Sequence, residues 1–222
     1  MRLLNHDSIL AGKERSTLYR STPRTRQNAA DRAASIAEAA RALLTESGFA
    51  SATVKSVAAR AGCSPGLLYT YFPDRAALLR GAFAHAAGHE LAAVTRALEE
   101  AETVAEAASG LVSTFISRAL AGARLADALL FEALPADVET ERLSFRTSYA
   151  AAIAARLQAG VDAGEIPEQD TGLTARALSG ALSGCLQEPI HDSGRSEFSE
   201  AEAAALIADM TVFTHRAIGV SP

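Results

Sequence analysis

Two short helix-forming segments joined by a glycine turn, within residues 53–72, constrain the fold of this chain more than any other sequence feature. The first segment starts at Thr53, a residue type that caps helix N-termini, and ends before Gly62. The second starts at Ser64-Pro65, where serine caps the helix and proline fits its first turn. Gly62 can adopt the positive φ that a tight turn requires. We therefore predict a helix-turn-helix.

The rest of the chain carries apolar residues at helical spacing and lacks the alternation of strands. We expect a first helix from about Asn28 to Gly48, and a fourth, capped by Asp74, as far as Glu100. Further helices are predicted over residues 103–120, 124–134, 137–163, 171–188 and 197–218, with a turn over 189–196. The fold class is therefore all-α, with about nine helices, three of them in a small N-terminal module.

The distribution of charge also divides the chain into two parts. Residues 1–75 carry eleven Lys and Arg against six Asp and Glu, whereas residues 76–222 carry ten against twenty. This asymmetry is typical of a basic DNA-binding module joined to an acidic regulatory module, although chance asymmetry in a soluble protein is the alternative. We expect a flexible basic arm over residues 1–24, a helix-turn-helix domain over 25–74 and a larger domain over 75–222.

Several classes of protein find no support in the sequence. Cys63 and Cys185 have no companion ligands, so neither a disulfide framework nor a zinc-cysteine site is expected. The motif G-x-G-x-x-G and the P-loop are missing, so we expect neither an enzyme nor a bound cofactor. We also expect a cytoplasmic protein without membrane association, because there is no signal-peptide pattern and no apolar run of 18 residues.

The side chains of the second short helix divide into two faces. Leu68 and Phe72 are predicted to face inward, and Cys63 to fill the space beneath the turn. The residues expected to face outward are Pro65, Gly66, Leu67, Thr70 and Tyr71. The hydroxyls of Tyr69 and Tyr71 can donate to DNA phosphates, with packing between helices as the alternative. Arg75, at the start of the fourth helix, is placed to attract a phosphate.

The segment TVKSVAARAGCSPGLLYTYFPDRAALL (53–79), within residues 32–83, resembles the DNA-binding domain of the tetracycline-repressor (TetR) family. It departs from the family pattern at Cys63, where valine is usual, and at Arg75, where lysine is usual. The resemblance implies that Lys55 reaches a base edge or a phosphate. It also implies DNA contacts from Thr53, Ser64, Pro65, Gly66, Leu67, Tyr69, Thr70, Tyr71 and Arg75. Because the base-facing surface lacks Arg, Gln and Asn, direct readout would rest on Lys55, Thr70 and thymine methyl contacts.

The resemblance further implies that the larger domain binds a small effector and forms a homodimer. RLQAGVDAGEIPEQD (156–170) resembles a helix end common in the family, and the last two helices have wide apolar faces. The expected dimer residues are Ala177, Gly180, Ala181, Gly184, Ile207, Met210 and Phe213. Aromatic or polar residues on alanine-rich helices suggest a pocket for an apolar or mixed ligand. The expected pocket residues are Phe83, His89, Phe115, Phe131, Tyr149 and Ile153. Packing within the chain is the alternative for both sets.

The function predicted on this basis is a homodimeric repressor that a small-molecule effector releases from a pseudo-palindromic, double-stranded DNA operator. His85 and His89, four residues apart on one helix, favour a metal-responsive repressor or a helical metal-dependent enzyme as the alternative, although no third ligand is indicated. An activator with the same fold and an interaction protein that has lost DNA binding also remain open.

Overall fold

The computed structural model describes residues 23–220, which form nine α-helices and no strand within that range. The helices are α1 (Pro23–Ser47), α2 (Val54–Arg60), α3 (Pro65–Tyr71), α4 (Arg75–Glu100), α5 (Val104–Ala121), α6 (Ala123–Leu130), α7 (Ala136–Asp162), α8 (Thr171–Leu186) and α9 (Glu200–Ile218). The all-helical prediction is therefore confirmed for the described part. The predicted arm lies outside this range except for its last two residues, which begin α1.

Short polar side chains start the helices as the sequence predicted. At each of four helix starts, the side chain of the capping residue accepts a hydrogen bond from the backbone N–H three residues further on, which satisfies one of the free amides of the first turn. These capping residues are Thr53, Ser64, Asp74 and Thr103. Thr53 and Thr103 also form reciprocal capping boxes, with Ser56 and Glu106 respectively.

The end of α1 also follows the prediction. Gly48 has φ of +71° and donates its N–H to the carbonyl of Leu44 at 2.9 Å, which ends the helix. Phe49 then folds back and is buried in the core of the N-terminal helices.

Three predicted boundaries were wrong. α1 begins at Pro23 rather than at about Asn28, since proline can occupy the first position of a helix. α6 ends at Leu130 rather than Leu134, because the N–H of Glu132 closes the helix onto the carbonyl of Asp127 at 2.9 Å. The predicted turn at 189–196 instead begins with a π-helical segment, Gln187–Asp192. Pro189 has no N–H with which to continue the ladder of α8, and the wider helix buries Ile190 in the core.

The helices enclose two clusters of buried side chains. The first cluster joins α1, α2 and α3 to the first half of α4, to α6 and to Val138 of α7. The second joins the remainder of α4 to α5, α7, α8 and α9. α4 therefore belongs to both modules, and residues on either side of the predicted boundary at 74/75 share one core.

Candidate nucleic-acid interface and ligand cavity

The turn between α2 and α3 depends on a left-handed glycine. Gly62 has φ of +62°, and the N–H of Cys63 donates to the carbonyl of Ala58 at 3.0 Å, which satisfies a free carbonyl at the end of α2. A Cβ at Gly62 would meet no atom within 4 Å, so backbone conformation rather than space requires glycine there. Cys63 is half-buried and packs against the core, as predicted.

α2 is fixed by its buried face and by a contact to α1. Val57 and Ala58 are fully buried, whereas Lys55 is exposed on the opposite side. Arg60 of α2 forms two hydrogen bonds to the carboxylate of Glu46 of α1, at 2.6 and 2.7 Å. Because both side chains are substantially exposed, this pair orients α2 more than it stabilises the fold.

α3 is held by one buried residue and presents an unusual exposed surface. Leu68 is completely buried, while the side chain of Ser64 accepts from the N–H of Leu67 at 3.1 Å and fixes the start of the helix. Pro65, Gly66, Leu67 and Thr70 are exposed, and Tyr69 is 50% exposed. An aromatic ring and a leucine left in solvent on a seven-residue helix are typical of a binding surface.

Tyr71 does not share this exposed face, and its predicted outward orientation was wrong. Its side chain is half-buried and packs against the N-terminal core. The reason is helical geometry: Tyr71 and Phe72 follow Leu68 by three and four residues and so lie on the same buried face. Arg75, the first residue of α4, is exposed next to Asp74. The DNA contacts of all ten residues stay predictions.

A cavity of about 350 Å³ lies between α1, α4, α5, α6, α7 and α8. Its lining is mainly apolar and includes four rings, those of Phe83, Phe115, Phe145 and Tyr149. Phe145 stands edge-on to Phe83 at 5.8 Å, and Tyr149 edge-on to Phe115 at 6.2 Å between ring centroids. Burial raises the pKa of Tyr149, so its phenol is neutral at physiological pH. A cavity of this size and lining suits a small organic ligand.

The structure brings three of the six predicted pocket residues together in the cavity wall, namely Phe83, Phe115 and Tyr149. The other three lie elsewhere. Ile153 is buried in the second core, and Phe131 lies beside His191, with ring centroids 5.4 Å apart. His89 lies at the exposed junction of α4 with α1, because its position on α4 is turned away from the cavity.

Four arginines in the cavity wall were missed from the sequence: Arg41, Arg118, Arg142 and Arg146. Glu90 is the acidic residue of the wall, and Arg118 binds it through two hydrogen bonds of 2.6 and 2.9 Å. That pairing raises the pKa of Arg118 above its ordinary value. The sequence does contain a signal for one of them, because Arg142 lies at helical spacing from Phe145 and Tyr149 on α7 and so shares their face.

Arg142 is the most buried of these cations. It donates to the carbonyls of Glu132 at 2.6 Å and Leu130 at 3.4 Å, while its Nε is buried without a hydrogen-bond partner in the described part. Burial lowers the pKa of Arg142, although Glu139, 3.4 Å away, acts in the opposite direction. The cavity therefore combines an apolar body with a cationic wall.

The exposed faces of α8 and α9 carry most of the predicted dimer residues. Ala177, Gly180 and Gly184 are exposed on one stripe of α8, and Phe213 of α9 is 48% exposed. Ala181, Ile207 and Met210 are half-buried, and the last two pack against the second core. Leu173 and Val212, which the prediction omitted, are also exposed.

A helix-turn-helix with an exposed second helix, mounted on a helical body that encloses a ligand-sized cavity, defines a DNA-binding regulator. The model of the bacterial regulatory proteins of the tetR family matches residues 36–82, which include α2, the turn and α3. Residues 36–82 of the chain are therefore a TetR-family DNA-binding domain.

Solved structures share this fold over most of the chain. A fatty acid degradation regulator, FadR, from Bacillus halodurans is 21% identical, with a TM-score of 0.67, covering 81% of this chain and 96% of its own. FadR from Bacillus subtilis, in complex with stearoyl-CoA, is 19% identical with a TM-score of 0.67, covering 85% and 98%. A tetR-family regulatory protein from Rhodococcus RHA1 is 20% identical with a TM-score of 0.61, covering 86% and 98%.

No curated protein sequence matched this chain. Within residues 23–220, none of the helices has the length and apolar character needed to cross a membrane.

Proposed function

We propose that this regulator is a homodimeric repressor, and that a small-molecule effector bound in the cavity releases it from a pseudo-palindromic operator. The observation that carries the proposal is the position of Phe83. This residue of α4 lines the cavity and also belongs to the core of the helix-turn-helix module. An effector that displaces Phe83 therefore acts directly on the packing beneath the DNA-binding helices.

Two contacts connect the cavity wall to the segment that precedes α2. Phe83 stacks on Phe49, with 6.1 Å between ring centroids. The backbone N–H of Phe49 also donates to both carboxylate oxygens of Glu132, at 3.2 and 3.3 Å, and the carbonyl of Glu132 accepts from Arg142 of the wall. Movement of either Phe83 or Arg142 would thus reach Phe49 and the helix-turn-helix.

We infer that the effector is an amphipathic anion, with an apolar body among the rings and an acidic group toward Arg142 and Arg146. The cavity wall contains four arginines against one glutamate, and Glu90 is already bound to Arg118. The stearoyl-CoA held by the Bacillus subtilis regulator has both an apolar and an anionic part, which agrees with this class of ligand. The Nε of Arg142 is buried without a hydrogen-bond partner in the described part, and a buried donor discriminates against ligands that leave it unpaired.

A thermal-shift series tests the effector class. Straight-chain carboxylates of increasing length, the matching alcohols and stearoyl-CoA are added to the full-length protein. We expect the acids to raise Tm more than the alcohols, and Arg142→Met to remove the difference. Arg156→Met, on the same helix outside this cavity, is the control and should retain it. Equal stabilisation by acids and alcohols would contradict the anionic class.

Release is tested with any acid that raises Tm. Added at saturation, it should weaken binding of the protein to its operator by at least about fivefold, the low end of coupling between two sites. A ligand that occupies the cavity and leaves operator affinity unchanged would contradict an effector-released repressor.

The proposed dimer uses the exposed stripe of α8 together with α9. A Cβ at Gly180 or Gly184 would meet no atom within 4 Å, so packing within this chain does not require small residues there. Close approach by a helix of a second copy does require them, and the exposed Leu173, Val212 and Phe213 supply apolar area nearby. Two copies related by a twofold axis would present two α3 helices to successive turns of DNA.

Light scattering on size-exclusion fractions tests the dimer. Gly180→Arg should convert the dimer to a monomer without unfolding it, since the stripe has room for a side chain in the single chain. Ala151→Arg places the same charge on an exposed position of α7 and should remain dimeric. A wild-type monomer, or a dimer in Gly180→Arg, would overturn the proposed interface.

A further inference from the structure

Glu38 of α1 and His85 and His89 of α4 form a cluster at the junction of the two helices. Nε2 of His85 lies 3.1 Å from Oε2 of Glu38 and 3.4 Å from Nε2 of His89. One ligand atom from each of the three residues falls within 4.8 Å of the other two. None of the three lines the cavity, so the cluster is separate from the proposed effector site.

These distances resemble those between the ligands of a bound transition metal. Bonds of about 2.0–2.1 Å to a tetrahedral ion place neighbouring ligand atoms about 3.3 Å apart. The two histidine–partner distances already match that separation, and the remaining edge, from Glu38 to His89, needs to shorten by at most about 1.5 Å. A side-chain rotation at an exposed position supplies such a movement, and both Glu38 and His89 are exposed.

The chemistry of the three ligands also suits a divalent transition metal. Two imidazoles and one carboxylate leave a fourth tetrahedral position for solvent, and nitrogen-rich sets of this kind select zinc-like ions over magnesium or calcium. The cluster spans two helices, since the histidines share one face of α4 and the carboxylate comes from α1. The single-helix pair read from the sequence thus gains the third ligand that it lacked.

Arg41 is the other charged group at the cluster. Its guanidinium donates to both oxygens of Glu38, at 2.6 and 2.8 Å. This contact holds the carboxylate of Glu38 in place, with Oε2 beside His85. A carboxylate has about four lone-pair sites, two on each oxygen, so Oε2 can accept from Arg41 and still offer a second lone pair to a metal.

We propose that Glu38, His85 and His89 form a binding site for one divalent transition-metal ion, which fastens α1 of the DNA-binding module to α4. The site goes beyond the effector cavity, because it bridges the two helices on the outside of the fold. Ion binding opposes separation of α1 from α4, and therefore stabilises one arrangement of the helix that carries Phe83.

Titration of the chelator-treated, full-length protein with Co²⁺ tests the site, because a bound cobalt ion of low coordination number absorbs visible light. We expect one ion per chain, and at least about tenfold weaker binding in His89→Ala and Glu38→Gln. His191→Ala is the matched control, since His191 is exposed and contacts Asp127 instead; it should bind Co²⁺ like the wild type. Zn²⁺ should raise Tm in the wild type and in His191→Ala only.

Failure of the site to bind Co²⁺ in the wild type, or equal Co²⁺ affinity in the wild type and His89→Ala, would overturn the proposal. Neither DNA nor an organic ligand is present in this titration. Its outcome is therefore separate from that of the operator and effector experiments.

Discussion

Replacement of Gly62 by alanine tests whether the turn between α2 and α3 is under the conformational constraint described above. Gly62 and Gly164 offer a matched comparison, with φ of +62° and +73°, and a Cβ added at either position would meet no atom within 4 Å. The residue after each glycine forms the same kind of backbone hydrogen bond. The N–H of Cys63 donates to the carbonyl of Ala58 at 3.0 Å, and the N–H of Glu165 donates to the carbonyl of Gly160 at 2.8 Å. The two glycines differ mainly in location.

The expected cost follows from backbone conformation alone. A left-handed conformation costs an L-residue roughly 1–2 kcal/mol, and alanine recovers about 0.4–1 kcal/mol by restricting the unfolded chain. Gly62→Ala and Gly164→Ala should therefore each lower the free energy of unfolding by about 1 kcal/mol, which corresponds to about 2–4 °C in Tm for a chain of this length. Gly62→Asn should cost less, because asparagine tolerates the left-handed region.

Only the change at Gly62 should affect DNA binding. The free protein can relieve the strain by tilting α3, but binding to the operator has to restore the orientation of α3 and the strain with it. Operator affinity therefore falls by up to about fivefold for 1 kcal/mol of strain. Gly88→Ala, in the middle of α4 where an added Cβ would have open space, should instead stabilise the protein by about 0.5–1 kcal/mol.

Urea unfolding and fluorescence anisotropy on labelled operator DNA measure these two quantities. An unfolding free energy changed by less than about 0.3 kcal/mol in Gly62→Ala would refute the conformational argument. Equal loss of operator affinity in Gly62→Ala and Gly164→Ala would refute the assignment of this turn to the DNA-binding surface.

Three further results are expected. Arg75→Ala should weaken operator and non-specific DNA binding alike and should reduce the slope of log K against log salt by about 0.9, as measured by anisotropy. Glu132→Ala should lower the unfolding free energy by about 1–3 kcal/mol in urea, because it leaves the part-buried N–H of Phe49 unpaired; Glu132→Gln should cost less. The hydrogen bonds from Arg41 lower the pKa of Glu38 in the folded state from 4.5 to about 2. The contribution of Glu38 to stability is therefore present above pH 4.5 and is lost as the pH falls toward 2. Glu38→Gln should flatten that part of the curve of Tm against pH. An unchanged salt slope in Arg75→Ala would contradict the first expectation, and an unchanged unfolding free energy in Glu132→Ala would contradict the second. Identical curves of Tm against pH for the wild type and Glu38→Gln would contradict the third.

The local parts of the fold could be predicted because their causes are local. Thr53, Ser64 and Asp74 cap the helices that follow them through bonds to amides three residues away, and Gly62 marks the turn by its own φ. Tyr71 was misplaced although the same rules applied, since counting from Leu68 puts it on the buried face.

The cavity could be predicted only in part, because its wall is assembled from six helices. Phe83, Phe115 and Tyr149 stood out as rings among alanines, whereas Arg41 resembled any exposed arginine of an amphipathic helix. The third ligand of the histidine cluster is 47 residues from His85, so periodicity along one helix does not reveal it. The position of Arg41 in the cavity wall and that of Glu38 beside the histidines both depend on the long-range packing of α1 against α4.

Selection of fragmented genomic DNA on the purified protein at physiological salt, followed by sequencing, tests most directly that this chain is a sequence-specific, dimeric DNA-binding regulator. Tyr69→Ala removes the most exposed ring of α3, and Leu143→Ala removes an equally exposed apolar side chain on α7 as the control. We predict a few short pseudo-palindromes, enriched by the wild type and Leu143→Ala and lost with Tyr69→Ala. Absence of enrichment, or the same enrichment with Tyr69→Ala, would contradict the account.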